Sequence, residues 1–422
     1  MTTAPALRPP ATSSGAATGA TGADLLAAYR AGPDRALLAT PTRTLLAEGV
    51  HRTVEDPAEA GRLLAAARPG GDGSGGGDRG GRNGNGDGDG DGESGGQRLL
   101  VGAIPFAPGA PARLFVPERV RRAGPVAPTT PAPPATDLAG EGRWRSRPVP
   151  EPEGYRAAVA EAVRRLAGDS PLEKVVLART LELTAPGGSD LAAMAARLVQ
   201  RDPHGYTFAV PAGGAATLIG ASPELLVSRR GSRVVSNPLA GSAARSTDPV
   251  EDRLRAEALL DSPKDLAEHA FVVDAVRAAL APFCTGLTAP ERPTLLRTAA
   301  MWHLSSTVTG TLREPATSAL ELALALHPTP AVCGTPTAQA RAAIGELEPF
   351  DRGLYTGVVG WGDASGDGEW VVTLRCAEAD GDLLRLFAGA GVVAASDPDL
   401  ELAETAAKFR TFLHAVGLAD AR

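Results

Sequence analysis

Lysine is scarce in this chain. Of 42 basic residues only Lys174, Lys264 and Lys408 are lysines, and the other 39 are arginines. A guanidinium keeps its proton in a protein, whereas a buried ammonium can release it. The three lysines are therefore candidates for chemistry that arginine cannot perform; the alternative for each is a surface position that kept its lysine by chance. None lies in a G-x-x-x-x-G-K-[ST] pattern, which excludes ATP chemistry through a Walker A loop. Carboxylates supply a second signal. Asp265 and Glu268, the latter followed by His269, are three apart, as are Glu401 and Glu404, with Lys408 one turn further on. On helices each pair turns two carboxylates to one side. Singly, each pair reads as a solvated helix face. Opposed, two such faces suit Mg²⁺, which takes hard oxygen ligands and shares its shell with an anionic substrate.

Other patterns carry less. Ala388-Gly389-Ala390-Gly391-Val392-Val393-Ala394 matches the dinucleotide fingerprint G-x-G-x-x-A, but no room remains after it for two βαβαβ halves. It reads better as a loop whose backbone N–H groups receive a carboxylate, or as a tight turn. Gly220-Ala221-Ser222-Pro223-Glu224 is not a nucleophile elbow, since Pro-Glu follows the serine. Glu224, at the end of an apolar run, is a candidate general acid if burial raises its pKa, or else a turn carboxylate. The six histidines are too dispersed for a metal triad, and His303 sits in an apolar stretch typical of a core histidine. Cys284, Cys333 and Cys376 lack CxxC spacing, so neither a disulfide framework nor a thiolate zinc site is expected. Asp87–Gly92 imitates an EF-hand loop, yet Arg98 stands where its glutamate belongs.

The elements that must position these residues follow from patterning. Helices are expected at Tyr155–Leu166, Asp261–Leu280 and Leu400–Val416, and strands at Leu99–Val101, Arg113–Val116, Lys174–Ala178, Thr207–Val210 and Leu225–Ser228. Trp370–Cys376 and Leu383–Ala388 read as a hairpin closed at Asp380-Gly381-Asp382. Clustered strands without strict βαβ alternation point to an α+β fold with antiparallel sheet. Residues 1–22 read as a disordered tail. Residues 23–147 form an N-terminal part interrupted by a Gly/Asp-rich insert at 69–97 and a Pro-rich linker at 124–134, and 148–422 form the main domain. The 422-residue chain is 43% hydrophobic, enough for a sizeable core, and carries a net charge of −7, which argues against nucleic acid as the main partner. No apolar run reaches the ~20 residues that cross a bilayer, and the N-terminus lacks a secretory pattern. A cytoplasmic monomer without membrane or nucleic-acid partners is expected.

Taken together, the segments resemble the chorismate-binding enzymes, over Pro150–Leu418 with an upstream extension at Leu38–Val50. The resemblance rests on Leu172–Arg179, Gly220–Leu225, Asn237–Ser242, Lys264–His269, His327–Ala331, Phe350–Tyr355, Gly357–Trp361, Thr373–Arg375, Ala388–Val393 and Glu401-x-x-Glu404-x-x-x-Lys408, in the family's order. Two features resemble the isochorismate synthase branch: Lys174 stands where that branch carries a water-activating lysine, and Thr337 follows Pro336 where the anthranilate and aminodeoxychorismate branches resemble a Pro-Lys pattern. Leu45–Gly49 is similar to the siderophore-pathway members.

This resemblance implies a two-lobed sandwich of large, mostly antiparallel sheets with helices packed outside. It implies an isomerase of the hydroxymutase type, which adds water at C2 of chorismate and removes the C4 hydroxyl with Mg²⁺. Lys174 would be the general base, with its pKa lowered by burial, and Glu224 the general acid. Glu268 and Glu404 would hold the metal, with Asp265 and Glu401 acting through waters. Arg375 would clamp the pyruvyl carboxylate, helped by Tyr355, the backbone of Gly389, Ala390 and Gly391, and Lys408. Gly241, Ser242, Ala331 and His303 would complete the substrate pocket. The competing expectations are a salicylate synthase, which also eliminates pyruvate, a nicotinamide-dependent oxidoreductase built on Gly389–Gly391, and a non-catalytic interaction module.

Overall fold

A computed structural model of the chain describes residues 19–68, 99–128, 144–184 and 187–415. Two antiparallel sheets, of ten and nine strands, pack face to face, and a three-stranded sheet completes the β-structure. The shared layer is filled by Leu38, Val101, Phe208, Leu218, Val359, Trp361 and Phe387, drawn from both sheets. Helices Gly22–Ala28, Leu191–Arg201 and Pro398–Ala415 cover the outer face of the ten-stranded sheet through Leu25, Met194, Leu198, Phe409 and Phe412. Helices Pro57–Ala66, Pro263–Leu280 and Ala319–Leu326 cover the other sheet through Leu64, Val273, Val276 and Leu322. With both faces covered, strands lose the alternation of a half-wet sheet: all six residues of Leu99–Ile104 are buried. The expected sandwich with outer helices is the architecture found.

The segments before residue 124 complete both sheets. Arg35–Ala39, Thr44–Glu48 and Arg119–Ala123 end the ten-stranded sheet, while Leu99–Ile104, Arg113–Val116 and Arg52–Val54 end the nine-stranded one. Helix Gly22–Ala28, with a capping box between Thr21 and Asp24, begins inside the segment assigned to the tail. Residues 1–18, the 69–97 insert and the linker beyond residue 128 lie outside the described residues. No helix among the described residues is long and apolar enough to cross a membrane.

One expected element is corrected. Trp370–Cys376 is not a single strand: Gly368–Val372 belongs to the nine-stranded sheet and Cys376–Asp380 to the ten-stranded one. Only the second pairs with Leu383–Val392, through the expected turn at Gly381. Thr373-Leu374-Arg375 carries the chain between sheets, and Arg375 takes φ +50°, sparsely populated for a residue with a Cβ. Apolar patterning looks alike on either side of such a crossing, so it cannot reveal it.

Candidate active site

The chain crosses between the large sheets twice at neighbouring points. After strand Ala216–Ser222, Pro223 and Glu224 lead into Leu225–Arg230 of the other sheet, and Thr373–Arg375 make the return beside them. The crossings are tied together: the Val372 N–H donates to the Glu224 carbonyl at 3.2 Å, and the Ala221 N–H to the Arg375 carbonyl at 3.2 Å. Thr356, at φ +58°, donates its N–H to Thr373 at 3.0 Å. A β-branched residue tolerates that conformation only where its surroundings over-determine it. A cleft of about 930 Å³, counted out to its open mouth, lies against these crossings.

Its walls are fixed by a buried ion pair. Glu348 and Arg352, with side chains only 2% exposed, meet at 2.5 Å. Glu348 accepts the Ala178 N–H at 2.7 Å; Arg352 donates to the carbonyls of Val176 at 2.7 Å and Val332 at 2.9 Å and to the Thr356 hydroxyl at 3.2 Å. One pair thus binds together the strand Lys174–Thr184, the Ala331–Val332 loop and the Tyr355–Thr356 turn, all of which border the cleft.

Lysines and acids interlock along the cleft. Ser262 caps helix Pro263–Leu280, whose first turns bring Asp265 and Glu268 to the cleft, and helix Pro398–Ala415 brings Glu401, Glu404 and Lys408. The Lys174 ammonium, 6% exposed, donates to Glu268 at 2.7 Å. Burial pushes the Glu268 carboxyl up, but the Lys174 charge and hydrogen bond outweigh it and hold the group below its usual range. Lys408 pairs with Glu404 at 2.6 Å and donates to the Gly389 carbonyl at 2.7 Å. Ser242 donates to Glu404 at 3.4 Å. The other two acids are under-compensated. Burial and then Glu404 push Glu401 up to about 7, and burial, followed by Glu268 and Glu404, raises Asp265. Among the described residues no three ligating side chains are grouped closely enough to hold a metal as they stand. Four hard-oxygen donors from two helices, two of them short of positive charge, nevertheless fit a divalent cation such as Mg²⁺.

On the crossings stand the acid and the anion contact. Glu224 is 2% exposed and burial pushes it up to about 8, against opposing effects of a Leu239 backbone hydrogen bond and the Lys174 charge. Arg375 donates from Nη2 to His303 Nε2 at 3.4 Å, while its buried Nη1 has no hydrogen-bond partner among the described residues. A guanidinium cannot accept, so His303 presents a lone pair at Nε2. Burial, with Arg375 and Lys408 adding to it, holds His303 well below its usual range and hence neutral. Tyr355 stacks on Phe387 at 4.9 Å, and burial raises its hydroxyl.

Gly241, Ser242, Ala331, Tyr355, Arg375, Gly389, Gly391, Lys408, His303, Glu224 and the four metal candidates all line this cleft. Two predicted residues do not. Lys174 stands directly behind Gly391 and Glu268; a Cβ on Gly391 would sit 3.1 Å from both Lys174 Cε and Glu268 Oε1. Ala390 is buried and alternates away from the cleft, because Gly389–Gly391 is no loop but the interior of strand Leu383–Val392. That correction also removes the dinucleotide reading, which needs a strand-to-helix turn. The carboxylate reading retains a basis: the adjoining strand Cys376–Asp380 pairs only as far as Leu386, which leaves that backbone edge without a strand partner among the described residues. Lys264 and Thr356 also line the cleft and were not among the expected site residues. The lysine count marked Lys264; nothing in the sequence marks the left-handed Thr356.

Fold and cleft together define a chorismate-binding enzyme. Residues 130–417 match the chorismate binding enzyme family, and the chain belongs to it, in its isochorismate synthase branch. The chain is 50% identical to isochorismate synthase DhbC of Bacillus subtilis over 92% of its own length and 94% of that protein. It is 41% identical to isochorismate synthase EntC of Escherichia coli over 76% of this chain and 81% of that one. The solved structure of a proposed 2,3-dihydroxybenzoate-specific isochorismate synthase, DhbC of Bacillus anthracis, superposes with a TM-score of 0.82 at 45% identity, covering 94% of this chain and 99% of the other.

Replacing Glu348 by glutamine strands the buried Arg352 charge, and breaking such a pair from one side costs about 3–5 kcal/mol. Chemical denaturation of Glu348→Gln is expected to show that loss. A change below about 1 kcal/mol would mean that the pair does not brace the cleft.

Proposed function

We propose that the chain converts chorismate to isochorismate with Mg²⁺. The observation that carries this is a buried carboxyl at Glu224 that stays protonated near neutrality, within electrostatic reach of Lys174, in a cleft that also offers Arg375 and two acidic helix faces. Chorismate is a cyclohexadiene with two carboxylates and a ring hydroxyl. Exchanging that hydroxyl for water at another carbon needs a proton removed at one end and supplied at the other.

In this reading the unpartnered Nη1 of Arg375 receives the pyruvyl carboxylate, and the open backbone edge at Gly389–Gly391, with Lys408 braced on the Gly389 carbonyl, seats the substrate's carboxylate end. Glu268 and Glu404, with Asp265 and Glu401 behind waters, would hold Mg²⁺, which when bound supplies positive charge for the ring carboxylate. Lys174 removes a proton from the water attacking C2, the double bonds shift, and Glu224 protonates the C4 hydroxyl so that it leaves as water. The base role requires Glu268 to turn away from Lys174, whose ammonium it now holds at 2.7 Å. Each proton transfer contributes on the order of 10²–10⁴-fold. The product is assigned to 2,3-dihydroxybenzoate and siderophore-type synthesis. The support for that reading is 50% identity to DhbC of Bacillus subtilis over 92% of the chain.

Product analysis with purified protein, chorismate and Mg²⁺ tests the reaction. Isochorismate is expected, and turnover should vanish on chelation and need more Mg²⁺ in Glu404→Ala; fluorescent salicylate as the main product would favour a salicylate synthase instead. Lys174→Ala and Glu224→Ala are each expected to lose about 10²-fold or more in kcat while still binding chorismate. Lys174→Arg should be nearly as inactive, and substantial activity there would refute the base assignment.

The pH dependence has a definite sign. With Glu224 shifted from 4.5 to about 8, the folded state holds a proton that the unfolded state has lost between those values, so this group's contribution to stability falls as pH rises through that window. Between pH 5 and 8 wild type is expected to lose stability relative to Glu224→Gln in paired melting curves, and kcat should drop on an alkaline limb near pH 8. Parallel melting curves for the two proteins would contradict the buried-acid reading.

A further inference from the structure

Lys264 is the one lysine that the proposed reaction leaves without a part. It is the second residue of helix Pro263–Leu280, is exposed, and lines the same cleft as Lys408. A cation is disfavoured in a helix's first turn, where the dipole is positive, so local stability does not account for it. Glu268 and Glu404 hold the other two lysines at 2.7 and 2.6 Å, whereas no ion pair engages Lys264 among the described residues. It lines the cleft together with Asp265, Glu268 and Glu401, so its charge stands on the acidic side.

A dicarboxylate entering this cleft meets those acids in its lining, and like charges repel. An exposed ammonium at the entrance, a compact point charge on a flexible stem, can meet one carboxylate and let it go again, whereas an arginine fork clamps in a fixed bidentate geometry. We propose that Lys264 is the capture contact for the dianionic substrate: it pairs with a carboxylate on entry, offsets the repulsion of Asp265 and Glu401, and passes the carboxylate inward. This rests on the chorismate reading. It adds a residue that acts in binding and not in the proton transfers.

The test combines steady-state kinetics at ionic strengths from about 0.02 to 0.3 M with calorimetric titration of Mg²⁺ alone into substrate-free protein. Lys264→Met is expected to raise the chorismate KM roughly two- to fivefold at low salt, as the loss of one exposed charge contact would. Its kcat should stay within about twofold, and the fall of kcat/KM with salt should be shallower than in wild type. Mg²⁺ alone should bind the variant equally or more tightly, since a competing positive charge is gone. Lys264→Arg, with the charge retained, should keep KM within about 1.5-fold of wild type. An unchanged KM in Lys264→Met, a raised KM with an unaltered salt slope, a fall in kcat alone, or weaker Mg²⁺ binding would each overturn the proposal. Wild-type protein inert toward chorismate would instead refute the reaction reading, so the two failures are distinguishable.

Discussion

The Glu348–Arg352 pair is the constraint on which the cleft depends. Two full charges out of contact with water are tolerable only when geometry and extra hydrogen bonds satisfy the remaining donors and acceptors. Here the partners are backbone groups of Val176, Ala178 and Val332 and the Thr356 hydroxyl. The desolvation demand therefore becomes a positional one. Any shift of these segments would leave a buried charge incompletely satisfied, so the strand that carries Lys174 and the turn that carries Tyr355 are held in register.

A second level of electrostatics lies on top of that frame. Each acidic helix carries one glutamate neutralised by a lysine and a second acid left short of positive charge: Glu268 against Asp265, and Glu404 against Glu401. The two lysines thus hold Glu268 and Glu404, the acids that the proposed chemistry needs for a cation. In the proposed reaction one side chain, Glu268, would both meet the cation and release Lys174.

Much of this was legible in the sequence because chemistry leaves short, specific traces. The i,i+3 acid pairs did fall on helices, with one face of each turned to the cleft, and the scarcity of lysine pointed at three residues of one region, of which Lys264 and Lys408 line the cleft and Lys174 stands just behind it. What was not legible is what apolar periodicity averages away. Trp370–Cys376 has the composition of one strand, yet the chain changes sheets within it at Thr373–Arg375. Gly389–Gly391 has the composition of a loop, yet it is strand interior whose missing side chains leave room for the Tyr355 hydroxyl and for the Lys174–Glu268 pair. Glu348 and Arg352 look in sequence like an ordinary i,i+4 surface pair, and only burial reveals their role.

Glu224 and Arg375 ride on the two places where the backbone passes from one layer to the other. The crossings are stitched side by side by the Val372–Glu224 and Ala221–Arg375 main-chain bonds, so the spacing of the two side chains is set by backbone and not by flexible packing. A slip at either bond would let the buried carboxyl and the guanidinium drift apart while both sheets stayed whole.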